Sequence, residues 1–263
     1  MKKLLISIMA GGMGKRMESN IPKVLHKLGE LPLIVHIINT CLKLNPEKIL
    51  IIVGKYKNII EREISQYIDT IIIQRKIEYI IQKEALGTGD AIKSCIEIYK
   101  NNIEYINLIL SGDVPLINYQ TLLEFIKSTK NCGLLINELD YPYGYGRIIM
   151  NNNDFLKIVE EKDCNDEERK INIVNSGIYC ISCELLVNFL PLINNNNKQN
   201  EYYLTDILEI IKNNENNENN ENNENNEINI MLLEKNKNYE VLGINNKEQL
   251  QELENIYKNM TNI

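Results

Sequence analysis

Apolar and polar positions along this chain follow two alternating periods. Leu4 to Met9, Lys48 to Val53 and Tyr105 to Leu110 are continuous apolar runs, the pattern of strands covered on both faces. Glu78 to Gln82 reads as a further, shorter strand. Between them, Pro32 to Leu44, Tyr56 to Tyr67 and Gly87 to Tyr99 carry apolar residues at helical spacing. Such alternation predicts an α/β, Rossmann-like doubly wound fold, with a mostly parallel sheet, right-handed crossovers and ligand contacts at the carboxyl ends of the strands. From Leu134 to Ser182 the period shortens. Leu134 to Asp140, Gly146 to Asn151, Phe155 to Glu161 and Ile171 to Ser182 read as strands, the second and third joined through Asn151 to Asn153. This predicts a mixed β region in which a hairpin folds over the sheet and walls a pocket.

Helices are expected from Cys183 to Leu190, stopped by Pro191, and from Tyr203 to Lys212. A strand from Ile228 to Leu233, a turn at Gly243 to Asn246 and a helix from Lys247 to Lys258 close the chain. Between the late helix and that strand, Asn213 to Glu227 repeats Asn-Asn-Glu. Asparagine is a poor helix former and glutamates three apart repel, so residues 213–227 are read as a disordered surface insertion in a single domain spanning 1–263.

Composition narrows the function classes. At 263 residues, with 44% hydrophobic and 25% charged positions, the chain can bury a full core as a soluble protein. Glu215, Glu218, Glu221, Glu224 and Glu227 account for most of the formal net charge of -7, and no broad basic surface is left for nucleic acid. No apolar run approaches the roughly 20 residues of a membrane span. Met1-Lys2-Lys3 and the run after it imitate a signal peptide, but the run leads into a basic glycine loop, so a cytoplasmic protein is expected. Cys180-x-x-Cys183 has neither a second pair nor a nearby histidine, and reads as buried thiols in and after a strand. His26 and His36 read as packing or surface residues.

The candidate chemistry sits at strand ends. After Met9 comes Ala10-Gly11-Gly12-Met13-Gly14, followed by Lys15, Arg16 and Lys23. Glycines let backbone N–H groups approach an anion without a Cβ in the way, and the cations supply opposite charge. The spacing is neither a Walker A loop nor G-x-G-x-x-G. It reads as a phosphate cradle on the first strand, or as a tight turn with surface cations. Gln82 to Gly89 is similarly either a plain turn or a loop whose amide pairs with the edge of a base. Asp113, directly after a buried strand, is placed to hold Mg²⁺ against phosphates, and Pro115 weakens the alternative of a helix cap. Tyr145-Gly146-Arg147, Glu160-Glu161-Lys162 and Asn175-Ser176-Gly177 offer groups for sugar hydroxyls, although Glu161 and Lys162 read equally well as a surface pair. Thr205, before the late helix, reads as a cap or as a further contact.

In this order and spacing, IMAGGMGKRM, IPKVLH, QKEALGTG, GDVPL, YGRI, IVEEKD, VNSGIY, EYYLTDI and GINN resemble the motifs of the sugar-1-phosphate nucleotidyltransferases. Within that family the likeness is to the uridylyltransferases that act on N-acetylglucosamine 1-phosphate, and it spans nearly the whole chain. It implies a nucleotide-diphospho-sugar transferase-like fold, UTP and N-acetylglucosamine 1-phosphate as substrates, and Mg²⁺ as cofactor. It places Ala10, Gly11 and Gly12 against the nucleotide and turns Lys15 and Arg16 toward its phosphates. Arg16 takes the family's catalytic arginine position and Lys23 its phosphate-binding lysine. Gln82, Gly87 and Thr88 match the uracil contacts, Asp113 and Asn245 the protein ligands of Mg²⁺. Gly146, Glu160, Asn175, Tyr203 and Thr205 match positions around the amino sugar.

The chain also departs from the family. Lys15 stands where Thr or Ser is usual, Met13 where a basic residue is usual, and Ser111 where an aromatic is common. The hexapeptide β-helix of the bifunctional relatives is missing, which implies no acetyl transfer. Rival readings are a nucleotidyltransferase for another sugar phosphate or nucleotide, and a catalytically silent nucleotide-sugar sensor. A sensor would be marked by loss of Arg16, Lys23 or Asp113, and all three are present.

Overall fold

β1 (Leu4–Met9) lies in the middle of the sheet, with hydrogen-bonded neighbours on both sides. The computed structural model describes residues 2–12, 14–152, 154–215 and 227–261. A short separate hairpin, β2 (Lys27–Leu28) and β3 (Leu31–Pro32), follows the glycine loop. β4 (Lys48–Val53) pairs with β1 in parallel, and β5 (Ile77–Ile81) extends that side. β6 (Ile106–Ser111) returns to the other side of β1, again in parallel. The direction of winding therefore reverses at β1, the switch point where α/β sheets open a crevice for ligands.

Beyond β6 the sheet is mixed, as the shortened period predicts. β7 (Cys132–Glu138), β8 (Arg147–Asn151), β9 (Asp154–Val159), β10 (Ile173–Ser182) and β11 (Ile228–Leu232) complete it, in the order β11-β7-β10-β6-β1-β4-β5. β8 and β9 form the expected hairpin and join the sheet through β10. Because β10 runs antiparallel to β6 and β7, its beginning lies at the carboxyl edge of the parallel strands. A register shift between Asn175 and Ile178 marks a bulge there.

Helices cover both faces. α1 (Leu33–Lys43) and α2 (Lys57–Ile64) lie on one face, α3 (Thr70–Lys76) beside β5, and α4 (Thr88–Lys93) and α5 (Ile96–Lys100) on the opposite face. α6 (Tyr119–Ser128) joins α1, while α7 (Cys183–Phe189) and α8 (Asp206–Glu215) join α5. Two apolar layers result: Ile6, Ile8, Ile49, Leu108 and Leu110 meet α1 and α6, and Leu5, Leu50, Ile52 and Ile109 meet the other helices. Each central strand is dense in β-branched residues, which suit a pleated surface buried on both sides. α9 (Lys247–Thr261) packs on β2, and its Leu253 shares a small cluster with Met17, Leu28, Leu33 and Ile244. That cluster anchors the ends of two site loops, since Met17 follows the glycine loop and Ile244 precedes Asn245. No helix among the described residues is long and apolar enough to cross a membrane.

Several elements differ from the sequence reading. The helix expected from Gly87 to Tyr99 is two, α4 and α5, because the Ser94 and Cys95 N–H groups reach the carbonyls three residues back, Ala91 and Ile92, and close the turn, while the Ser94 hydroxyl donates to the Asp90 carbonyl. The helix expected at Tyr56 stops at Ile64, where the Ser65 hydroxyl caps the Arg62 carbonyl. The late helix begins at Asp206 instead of Tyr203, since the preceding segment is tied to the loop before α4. It continues to Glu215, three residues into the tract read as disordered. The rest of that reading, at 216–226, lies outside the described residues. α3, capped by the Asp69 carboxylate, and α6, capped by the Asn118 side chain, are helices for which the sequence reading has no counterpart.

Candidate active site

The parallel strands present their carboxyl ends at one edge. Gly11 and Gly12 follow β1, Gln82 follows β5 and Asp113 follows β6. These residues, with Lys23, Gly87, Thr88, Ser111 and Glu201, line a cleft of about 290 Å³. A larger cavity of about 510 Å³ lies beyond Gly243, but Glu138, Asp140 and Glu252 line it and would repel a polyphosphate. The smaller cleft is therefore the candidate site.

Three side chains from distant parts of the chain converge at its floor. The Lys23 ammonium pairs with Asp113 Oδ2 and donates to Asn245 Oδ1 over 3.1 Å. Pro22 leads into the short 3₁₀ turn Lys23–Leu25. Gly14, at φ +70°, lets the glycine loop fold over the lysine stem, because a Cβ there would sit 2.7 Å from Lys23 Cβ. Asp113 is 7% exposed and also accepts from the Ser111 hydroxyl at 2.5 Å. Burial pushes its carboxyl up, but the charge and hydrogen bond of Lys23, with the Ser111 hydroxyl, hold it below the usual carboxylate value. The Asn245 loop is pinned by Ile244 N–H to the Asp113 carbonyl at 3.0 Å, and by Asn245 N–H to Gln249 Oε1 at 2.7 Å. A carboxylate oxygen and an amide oxygen already facing one cation form a hard donor set. That set fits Mg²⁺, an ion that keeps water and phosphate as its remaining ligands.

On the opposite wall, Gln82 Nε2 donates to the Gly87 carbonyl at 3.1 Å and to Asp90 Oδ2 at 2.8 Å. This fixes its amide, with Oε1 toward Gly11. The loop it closes is strapped to the segment before α8. Tyr202 N–H donates to the Leu86 carbonyl, Gly89 N–H to the Tyr202 carbonyl, and Leu204 N–H to Thr88 Oγ1 at 3.0 Å.

Beyond the strap lies a second polar group. Thr205 donates to Glu160 Oε1 at 3.1 Å, and Asn175 N–H donates to the Gly146 carbonyl at 2.9 Å. A Cβ on Gly146 would meet Ile158 Cγ2 at 2.8 Å and Glu160 Oε2 at 3.5 Å, so a backbone edge lies against this carboxylate. Burial raises the Glu160 carboxyl, the Thr205 hydroxyl opposes that, and Asp206, Asp163 and Glu201 push it further up. The Asn175 amide donates to the Tyr179 hydroxyl at 2.7 Å and accepts from Gly177 N–H at 2.9 Å.

A model of the family described as nucleotidyl transferase matches residues 6–246. This chain belongs to that family. The nucleotidyltransferase is 44% identical over 262 residues to a probable UDP-N-acetylglucosamine pyrophosphorylase of Acanthamoeba polyphaga mimivirus, covering 97% of each chain. It is 37% identical over 260 residues to the bifunctional protein GlmU of Clostridium beijerinckii, covering 97% of this chain and 52% of that one. The chain thus spans about half the length of that relative. The solved structure of UDP-glucose pyrophosphorylase complexed with UDP-glucose aligns with a TM-score of 0.73 at 19% identity, over 99% of this chain and 100% of that one. At that identity the likeness establishes the fold, an α/β sheet that is mostly parallel.

The nucleotidyltransferase brings Gly11, Gly12, Lys23, Gln82, Gly87, Thr88 and Asp113 to one cleft, with Asn245 reached through Lys23. Ala10 is buried beneath the turn, its N–H bonded to the Ile52 carbonyl. Gly146, Glu160, Asn175 and Thr205 form the neighbouring polar group, while Tyr203 is buried with its hydroxyl accepting from Gln199. Arg16 lies exposed on the 3₁₀ turn Lys15–Met17, outside the residues lining the cleft. Met13, one of the departures, lies outside the described residues.

Three residues gain a role that the sequence reading did not give them. Ser111 orients Asp113. Asp90 orients Gln82, and no local pattern announces it. Arg147, 2% exposed, pairs with Glu161 at 2.8 Å, while Glu161 also accepts from Gly144 N–H at 2.9 Å. The Glu161 carboxylate is therefore a brace for the Tyr145-Gly146 segment; its position in the IVEEKD motif was the available signal.

Proposed function

We propose that the protein transfers UMP from UTP to N-acetylglucosamine 1-phosphate, giving UDP-N-acetylglucosamine and pyrophosphate, with residues 1–263 acting as one nucleotidyltransferase domain and 213–227 as an insertion in it. The observation that carries this reading is the convergence of Asp113, Asn245 and Lys23 beside the Gly11-Gly12 turn. The printed name of the mimivirus relative supports the choice of substrates.

In the reaction an oxygen of the sugar phosphate attacks the α-phosphorus in line with departing pyrophosphate. That oxygen is anionic at neutral pH, so no side-chain base is needed; positioning and charge neutralisation carry the catalysis. Gly11 and Gly12 bring backbone N–H groups to the phosphates, and Lys23 adds a cation beside them. Asp113 and Asn245 would hold a divalent cation, which would supply neutralisation of phosphate charge. Arg16, exposed and without a hydrogen-bond or ion-pair partner among the described residues, is available to the charge that develops in the transition state. Gln82, fixed by Asp90, presents its amide oxygen to the base. Glu160, Thr205 and Asn175 face the sugar.

Incubation with each of the four nucleoside triphosphates and a series of sugar phosphates, followed by pyrophosphate release, tests the assignment. UTP with N-acetylglucosamine 1-phosphate should turn over fastest, and a faster pair would replace it. Arg16→Ala should lower kcat by about two orders of magnitude, with a smaller rise in KM for the sugar phosphate. Unchanged turnover would remove Arg16 from the mechanism.

A further inference from the structure

The two oxygens that the proposed site offers to a metal are the two that Lys23 already holds. Its ammonium pairs with Asp113 Oδ2 and donates to Asn245 Oδ1 at 3.1 Å. The side chains of Lys23 and Asp113 are only 16% and 10% exposed, so solvent screens this pair weakly. An ammonium and a divalent ion compete for those oxygens. They would lie a few ångströms apart with like charge, in a shielded pocket where that repulsion is strong.

Resting on the metal reading of Asp113 and Asn245, we infer that Lys23 is an internal counter-ion that keeps the site closed to divalent metal until a polyphosphate arrives. In the free protein the ammonium satisfies Asp113, which would otherwise be a buried carboxylate without compensation. A metal entering alone must expel that ammonium. A metal entering with a polyphosphate gives the ammonium a new partner in the same cleft, where phosphate oxygens take it in charge-assisted hydrogen bonds. The stem of Lys23 packs under Gly14 as far as Cδ and leaves the Cε–Nζ end to make this short transfer. Metal and nucleotide therefore load together, and Lys23 holds each of the two anions in turn.

The test is Mn²⁺ binding to the nucleotide-free protein, followed by the electron paramagnetic resonance signal of free Mn²⁺, with thermal unfolding in EDTA and in Mn²⁺ alongside. Wild type and Lys23→Arg, which keeps the charge, should bind Mn²⁺ weakly. Lys23→Met should bind it at least about tenfold more tightly, as expected when a like charge a few ångströms away is removed. Lys23→Met should also melt lower than wild type in EDTA and recover in Mn²⁺, whereas wild type shifts little. Lys23→Gln serves as a second neutral variant should the methionine protein fail to fold in EDTA. Equal or weaker Mn²⁺ binding by folded Lys23→Met and Lys23→Gln would overturn the exchange while leaving the metal site standing. No binding by any of them, indistinguishable from Asp113→Asn, would overturn the exchange together with the metal reading on which it rests.

Discussion

Gly87→Ala is the perturbation whose size can be worked most directly from the structure. Gly87 has φ +118° and ψ 178°, a region open in practice only to glycine. A Cβ at this position would sit 2.5 Å from the Tyr202 carbonyl oxygen and 2.8 Å from its nitrogen. Both neighbours are backbone, so no rotamer change relieves the clash and the strap has to open. Opening loses the bond from Tyr202 N–H to the Leu86 carbonyl at 2.8 Å and the bond from Gly89 N–H to the Tyr202 carbonyl at 2.7 Å. Each contributes about 1 kcal/mol, and the strained dihedral adds about 1 to 3 kcal/mol. A loss of roughly 3 to 5 kcal/mol should lower Tm by about 10 °C in a chain of this size. Circular dichroism melts measure that, and pyrophosphate release should show KM rising for both substrates, because the strap joins the loop around Gln82 to the segment carrying Thr205. Gly12→Ala is the control: among the described residues its Cβ meets nothing within 4 Å, so nucleotide binding can change while Tm does not. A Gly87→Ala protein that melts within about 2 °C of wild type and keeps both KM values would refute the reasoning.

Three further outcomes follow from buried polar groups. Glu161→Gln leaves the Arg147 guanidinium buried without its counter-charge and should cost roughly 3 kcal/mol, read as a drop in Tm. Burial raises the Glu161 carboxyl, yet Gly144 N–H and Arg147 outweigh it and hold the value low, so this stabilisation is present above about pH 4 and fades as pH falls through the lowered value. Asp206 is the opposite case: burial, then Glu209 and Asp163, raise its carboxyl to about 6. Its contribution is full below the unfolded value of about 4 and lost as pH rises through about 6, so wild type should lose Tm between about pH 4 and pH 6 and level off above that. Asp206→Asn should flatten that step, and an unchanged slope would remove Asp206 as its source. Asn137, 1% exposed, has no hydrogen-bond partner among the described residues for either side-chain polar atom, so Asn137→Leu should raise Tm by a few degrees, at about 1 to 3 kcal/mol per unsatisfied group. A lowered melting temperature would mean that the amide has a partner in solution.

How far the sequence discloses this molecule depends on how far apart the interacting residues lie. β1, β4 and β6 are legible because both faces of each are buried, and an unbroken apolar run carries that information by itself. The glycine turn is legible for the same local reason, since Gly14 answers to the stem of Lys23 nine residues on. The break between α4 and α5 is local too, but it depends on Ser94 and Cys95 turning their N–H groups to carbonyls three residues back, with the Ser94 hydroxyl on the Asp90 carbonyl, and apolar spacing does not register that. The floor of the site is another matter: Lys23 and Asn245 are 222 residues apart, and no periodicity joins them. Only the resemblance of whole motifs put them in one place. Thr88 shows where even that runs short. Its match to a base contact gives it one role, but the structure has its oxygen accepting from Leu204 N–H, 116 residues away, on the segment that carries Thr205 to Glu160. A motif reports what a residue stands beside. What that residue holds in place across the fold is fixed by the packing of α4 and the strap, which ties the loop around Gln82 to the segment that carries Thr205.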